Sequence, residues 1–110
     1  MRKIYPVVIG LGYVGLPIFL NLKENFKTVG FDINKKRIND LKNKKDYNKE
    51  FTHKDLKLKK KSIFTNKLKD IKKENFYIIA VPTPVNKKNI PNLELLKKSC
   101  KFLSKVIKKN

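Results

Sequence analysis

One cysteine and one histidine are all that 110 residues offer in the way of thiol or imidazole chemistry. A lone cysteine closes no internal disulfide, and without a CxxC pair or a His/Cys cluster no zinc site can be written. Acidic side chains are scarce too: nine Asp and Glu stand against 28 Lys and Arg, a formal charge of +19. Long apolar runs are missing. The stretch after Gly15 is interrupted by Asn21 and Lys23, well short of the roughly 20 apolar residues that cross a bilayer. No charged, apolar and small-residue signal opens the sequence, and no internal repeat is present. A cytoplasmic protein with no metal site and no membrane partner is the expectation.

The charge excess invites a nucleic-acid or anionic-surface reading. It is almost all Lys, scattered among Asn and Ile, whereas a dedicated binder groups Arg with aromatic or base-reading residues. Lys59-Lys60-Lys61 is the one tight cluster, and it reads as a loop. A solvated lysine surface follows, with salt-sensitive attraction to polyanions but no specific nucleic-acid partner. With 40% hydrophobic residues the chain is globular and one domain at most, residues 1–110.

What is present is concentrated in Val7-Val8-Ile9-Gly10-Leu11-Gly12-Tyr13-Val14-Gly15-Leu16-Pro17. An unbroken β-branched run suits a parallel strand covered on both faces. Gly10 then takes the tight turn, Gly12 admits a pyrophosphate close to the backbone, and Gly15 lets the next helix lie against the strand. The first amides of that helix lack intrahelical partners and carry the positive end of the macrodipole. Phe26 to Asp32 reads as a second strand ending in a carboxylate twenty positions after Gly12, the spacing of the dinucleotide fingerprint. A carboxylate there accepts hydrogen bonds from adenosine ribose hydroxyls and repels a 2′-phosphate, favouring NAD over NADP.

In chain order, Lys3 to Ile9 is the first strand. The helix after it runs to about Glu24, with Val14, Ile18, Phe19 and Leu22 as its buried stripe and Pro17 in its first turn. Asn34 caps a second helix to about Asn43, with Ile33 and Ile38 placed for a hydrophobic staple. Arg37 points back toward the place of an adenine or, equally on spacing alone, sits on the surface. Asp46 to Lys61 holds a loop and a short amphipathic helix, with His53 exposed and without chemistry. Ser62 to Thr65 is a third strand and Lys67 to Lys73 a helical turn. Phe76 to Val81 is a further buried strand, stopped by the Pro82-Thr83-Pro84 exit. Strand ends share one edge of an open α/β sheet, so Thr83 either contacts a cofactor there or belongs to a rigid exit turn. Asn92 caps a last helix to about Lys108, whose apolar face takes Leu93, Leu96, Cys100, Leu103 and Ile107. Cys100 is read as a small buried hydrophobe rather than a nucleophile.

Taken together, these motifs resemble the nucleotide-sugar 6-dehydrogenases, the UDP-glucose/GDP-mannose dehydrogenase family. The glycine segment, Val29-Gly30-Phe31-Asp32-Ile33-Asn34 with Arg37-Ile38, Phe76 to Pro84 and Pro91-Asn92-Leu93 carry the resemblance. Asn75-Phe76-Tyr77-Ile78-Ile79 and Asn34-Lys35-Lys36-Arg37-Ile38 look closest to the UDP-N-acetylglucosamine 6-dehydrogenases of the Vi-polysaccharide type. The resemblance implies a Rossmann-type doubly wound parallel sheet in the order 3-2-1-4. It also implies an oxidoreductase that takes the C6 hydroxymethyl of a UDP-sugar to a carboxylate with two NAD per sugar, for surface-polysaccharide synthesis, as a homo-oligomer. Gly10, Gly12, Tyr13, Val14 and Gly15 would form the pyrophosphate turn, Asp32 would hold the ribose, Arg37 would flank the adenine and Thr83 would contact the nicotinamide half.

Length is the departure. Members continue through further strands, a connecting helix and a sugar-nucleotide domain, with a catalytic cysteine far downstream. The expectation is therefore an incomplete domain that has no catalytic residue of its own, binds NAD, and oxidises no UDP-sugar alone. Its fourth strand would lie at an open edge, an aggregation liability, and NAD would stabilise it by linkage. Another NAD-dependent Rossmann enzyme, such as a hydroxyacid dehydrogenase, and a non-enzymatic polyanion-binding module are the alternatives. The Val81-Pro82-Thr83-Pro84 exit argues against the first.

Overall fold

The computed structural model describes residues 3–58, 61–72, 74, 76–81, 88 and 93–106. Its order is β1 (Pro6–Ile9), α1 (Gly15–Leu22), β2 (Val29–Phe31), α2 (Lys35–Lys42), β3 (Ile63–Thr65), a 3-10 turn at Leu68–Asp70, β4 (Phe76–Ile79) and α3 (Glu94–Val106). The strands form one sheet ordered β3-β2-β1-β4, with every neighbouring pair parallel. Val8 stands beside Gly30 on one flank and Ile78 on the other. The chain thus moves outward from β1 to β3 and then returns to β1's other side. That reversal is the topological switch point, and ligands bind outside the strand ends beside it.

Alternation along β1 divides the core. Val8 joins Leu11, Leu16, Phe19, Ile38, Leu41, Leu56 and Phe64 on the face covered by α1 and α2. Val7 and Ile9 join Val29, Phe31, Ile71 and Leu103 on the opposite face. Both sides of β1 are therefore buried, which is why its sequence is apolar without interruption. Phe19 and Phe64 pack with ring centroids 4.7 Å apart and planes tilted by 39°, a favourable offset arrangement.

The α/β class and the strand order agree with the sequence reading, and several local expectations do not. Helix α1 starts only at Gly15, so Val14 falls at its N-cap and is 63% exposed. Leu16 and Phe19 carry the burial, while Ile18 and Leu22 are half-buried. The Ile33–Ile38 staple does not form. Asp32 Oδ1 accepts the Asn34 amide at 2.9 Å, a local turn that leaves Ile33 70% exposed while Ile38 enters the core. Between α2 and β3 the short helix is replaced, among the described residues, by turns. There the carboxylates of Asp46 and Asp55 take up backbone amides, competing with a helical ladder.

Two further corrections concern the fourth strand and the last helix. Phe76 is 50% exposed and Tyr77, Ile78 and Ile79 are only half-buried, because β4 lies at a sheet edge. Cys100 is exposed. Leu103 of the expected stripe is buried, whereas Leu93 is 43% exposed, and among the described side chains of α3 Ser99 rather than its neighbour Cys100 turns inward. Pro82, Thr83, Pro84, Asn92 and Ile107 lie outside the described residues.

Candidate cofactor site

The ends of β1, β2 and β4 open on a cleft of about 1010 Å³, at the top of the usual range for ligand pockets. Gly10 ends β1 with φ +95°, in the left-handed region that side chains disfavour. Its amide continues the ladder to the Phe31 carbonyl at 2.8 Å. A Cβ on Gly10 would lie 2.8 Å from the Ala80 carbonyl oxygen, and one on Gly15 only 1.6 Å from the Gly10 carbonyl oxygen. Gly15 thereby sets how closely α1 approaches the strand. At Gly12 a Cβ would meet nothing within 4 Å, since that position faces the cleft.

Helix α1 starts beside the cleft. No side chain caps Val14 and no acidic residue occupies the first turn; the Leu16 amide donates to the Gly12 carbonyl at 3.2 Å and Pro17 carries no amide, so the positive end of the helix meets the cleft chiefly at Gly15. Tyr13 and Val14 line the cleft beside it. At the end of β2, Asp32 Oδ2 accepts the Leu11 amide at 3.0 Å. With Oδ1 on Asn34, each oxygen of this carboxylate keeps a further lone pair.

Arg37 is not a free surface residue. Its Nε donates to the Leu11 carbonyl at 2.8 Å and its Nη1 to Asp46 Oδ1, also at 2.8 Å. The two side chains are 11% and 1% exposed, and Nη2 is buried without a hydrogen-bond partner. Burial works to raise the Asp46 pKa. Arg37 and the amides of Phe51, Asn48 and Glu50 outweigh it, so the carboxyl titrates below its ordinary value.

Of the residues read from the sequence, Gly10, Gly12, Tyr13, Val14, Asp32 and Arg37 line one cleft, with Ile79, Ala80 and Val81 on its β4 side. Gly15 lies behind the turn, and Thr83 is outside the described residues. Sequence reasoning missed Tyr47, Asn48, Lys98 and Ser99, which also border the cleft, and Asp46, which stands behind it as the partner of Arg37. The one available signal for Asp46 was an acid in a run of lysines, with Asn48 two positions on to supply an Asx-type turn amide. Among the described residues no group of three or more His, Cys, Asp or Glu stands together to hold a metal, and no helix is long and apolar enough to cross a membrane.

An open glycine turn, a helix start without a side-chain cap and a carboxylate at the end of β2 fit a dinucleotide. Comparison with known proteins agrees. The model of the UDP-glucose/GDP-mannose dehydrogenase family, NAD binding domain, matches residues 4–110. Protein CapL of Staphylococcus aureus is 48% identical over 101 residues, covering 91% of this chain and 23% of that protein. A UDP-N-acetyl-D-glucosamine 6-dehydrogenase of Salmonella typhi is 45% identical over 100 residues, covering 91% and 24%. Among solved structures, a UDP-D-ManNAc dehydrogenase from Pyrococcus horikoshii superimposes with a TM-score of 0.81 at 26% identity, over 94% of this chain and 26% of that one. The chain spans about a quarter of the length of these relatives. With NAD as its cofactor, it belongs to the UDP-glucose/GDP-mannose dehydrogenase family, whose NAD-binding domain it represents.

Proposed function

We propose that this chain supplies the cofactor-binding part of an NAD-dependent UDP-sugar 6-dehydrogenase. The enzyme takes the C6 hydroxymethyl of a UDP-N-acetylhexosamine to a carboxylate in the cytoplasm, for polysaccharide synthesis, as a homo-oligomer. The observation that carries this reading is the meeting of the glycine turn and Asp32 at one cleft, in a chain 45% identical to a protein named for that reaction. Bound NAD supplies the hydride acceptor, two equivalents being consumed per carboxylate formed.

This chain's own residues bind and orient. The start of α1 at Gly15 and the peptides of Gly10 to Gly12 receive the pyrophosphate, with Tyr13 and Val14 covering it from the solvent side. Asp32 accepts from the ribose hydroxyls with its remaining lone pairs, and its charge disfavours a 2′-phosphate. Arg37 flanks the adenine, and Thr83 contacts the nicotinamide half. No residue of this chain is assigned to the chemical step, so the chain alone binds NAD and turns over no UDP-sugar.

Calorimetric titration with NAD and NADP, followed by an NADH-formation assay on a chimera, tests the reading. The chimera joins this chain to the remainder of the Salmonella typhi relative. Preference for NAD, with NADH formed by the chimera on UDP-N-acetylglucosamine and none by the chain alone, is expected. A chimera that binds NAD yet reduces none with any UDP-N-acetylhexosamine would overturn the substrate assignment.

A further inference from the structure

The glycine turn is gripped at both polar groups of one residue. Asp32 Oδ2 accepts the Leu11 amide at 3.0 Å, and Arg37 Nε donates to the Leu11 carbonyl at 2.8 Å. Leu11 lies between Gly10 and Gly12, so its neighbours contribute backbone freedom on either side, and a turn that must meet a pyrophosphate gains from being held before the ligand arrives. Arg37 performs its part only if its guanidinium is aimed. Asp46 aims it: Oδ1 takes Nη1 at 2.8 Å and the Asn48 amide at 3.1 Å, while Oδ2 takes the amides of Glu50 and Phe51 at 2.9 and 3.1 Å.

A carboxylate that is 1% exposed is stable only when such partners satisfy it. A loop could be closed by a neutral side chain at less desolvation, so holding the guanidinium is what the charge adds. Resting on the cofactor reading above, we infer that Asp46 is a positioning residue for the dinucleotide. Through Arg37 it fixes the Leu11 peptide, and with it the pyrophosphate turn, before NAD binds. Asp46 itself touches no part of the cofactor.

The test titrates NAD into the parent chain, Asp46→Asn, Arg37→Lys and the double variant. Each is held at a temperature where circular dichroism shows it folded. Hydrogen exchange of the Leu11 amide is followed without ligand. Arg37→Lys keeps a cation beside Asp46, so the loop retains its partner if Asp46→Asn does not fold. Ile71→Val, in the core on the far face of the sheet, controls for general loss of stability.

Each single variant is expected to weaken NAD about tenfold, the scale of one lost charge-assisted hydrogen bond, and the double variant no further. Leu11 exchange should quicken in Asp46→Asn, while Ile71→Val leaves both readouts unchanged. Parent affinity in Arg37→Lys, additive losses in the double variant, or equal losses in Ile71→Val would each overturn the inference. A parent chain that binds no NAD would instead overturn the cofactor reading, and this inference with it.

Discussion

The two flanks of β1 are built differently. Toward β2 and β3, Val29, Phe31, Phe64 and Thr65 are buried, Phe64 beneath α1 and α2 and Val29 and Phe31 on the opposite face, and Asp32, Arg37 and Asp46 rivet the turn to the sheet. Toward β4, Phe76 is half-exposed and its successors half-buried. Glu74 keeps a buried Oε2 with no hydrogen-bond partner. The β2 side of the cleft therefore rests on a closed core and a connected polar network. The opposite half rests on an edge strand. Rigid placement of a ligand's first contacts demands well-packed support, and this protein puts that support where its dinucleotide motif lies.

The largest separation of the flanks should come from truncating their apolar anchors. Phe19→Ala removes a fully buried ring packed on Phe64 and should lose about 3–5 kcal/mol in urea unfolding. Ile79→Ala on the half-buried strand should lose about half of that range. Equal losses would erase the contrast.

Glycine substitutions come next. Gly15→Ala cannot be accommodated without moving α1 off the Gly10 carbonyl, and should cost about 1–3 kcal/mol together with NAD binding. Gly12→Ala meets open space. It should leave the unliganded melting temperature unchanged while weakening NAD in calorimetry, because its methyl group projects where the pyrophosphate approaches.

The smallest effects are those of pH, and they have opposite signs. Asp46 titrates below its ordinary value of 3.8, so its stabilisation is complete above that value and disappears as pH falls through the folded-state pKa. Burial pushes Glu74 above its ordinary 4.5, with Lys27 opposing. The folded state therefore prefers its protonated form, and that preference is lost as pH rises through the elevated value. Thermal melts should show Glu74→Gln gaining stability over the parent at neutral pH and little in acid. Asp46→Asn should lose stability at neutral pH and converge on the parent in acid. Parallel pH profiles for the two variants would contradict the assignment of these groups to differently satisfied flanks.

Legibility in the sequence follows the same division. Gly10, Gly12 and Asp32 were found because a strand–turn–helix unit repeats its spacing locally, and Val7-Val8-Ile9 announced a doubly covered strand by composition. The Asn34 cap was legible too: its side chain accepts the Arg37 amide at 3.1 Å. Val14 and Ile33 were misplaced because one residue of phase at a helix start decides between core and cleft. Cys100 was misplaced because a 3.6-residue period leaves the inward direction of an amphipathic helix to whatever it packs against.

Read alone, the chain determined the parallel strands and a glycine turn with a carboxylate at the next strand's end, since each rests on neighbours in sequence or on a fixed spacing, while the strand order came with the family resemblance. Only the tertiary structure decided that Asp46 aims Arg37, that Arg37 grips Leu11 and that β4 is left half-covered. Those outcomes depend on contacts between residues nine and 26 positions apart and on which strand ends at the edge. No periodicity records them, because they arise only when separate elements close on the same cleft.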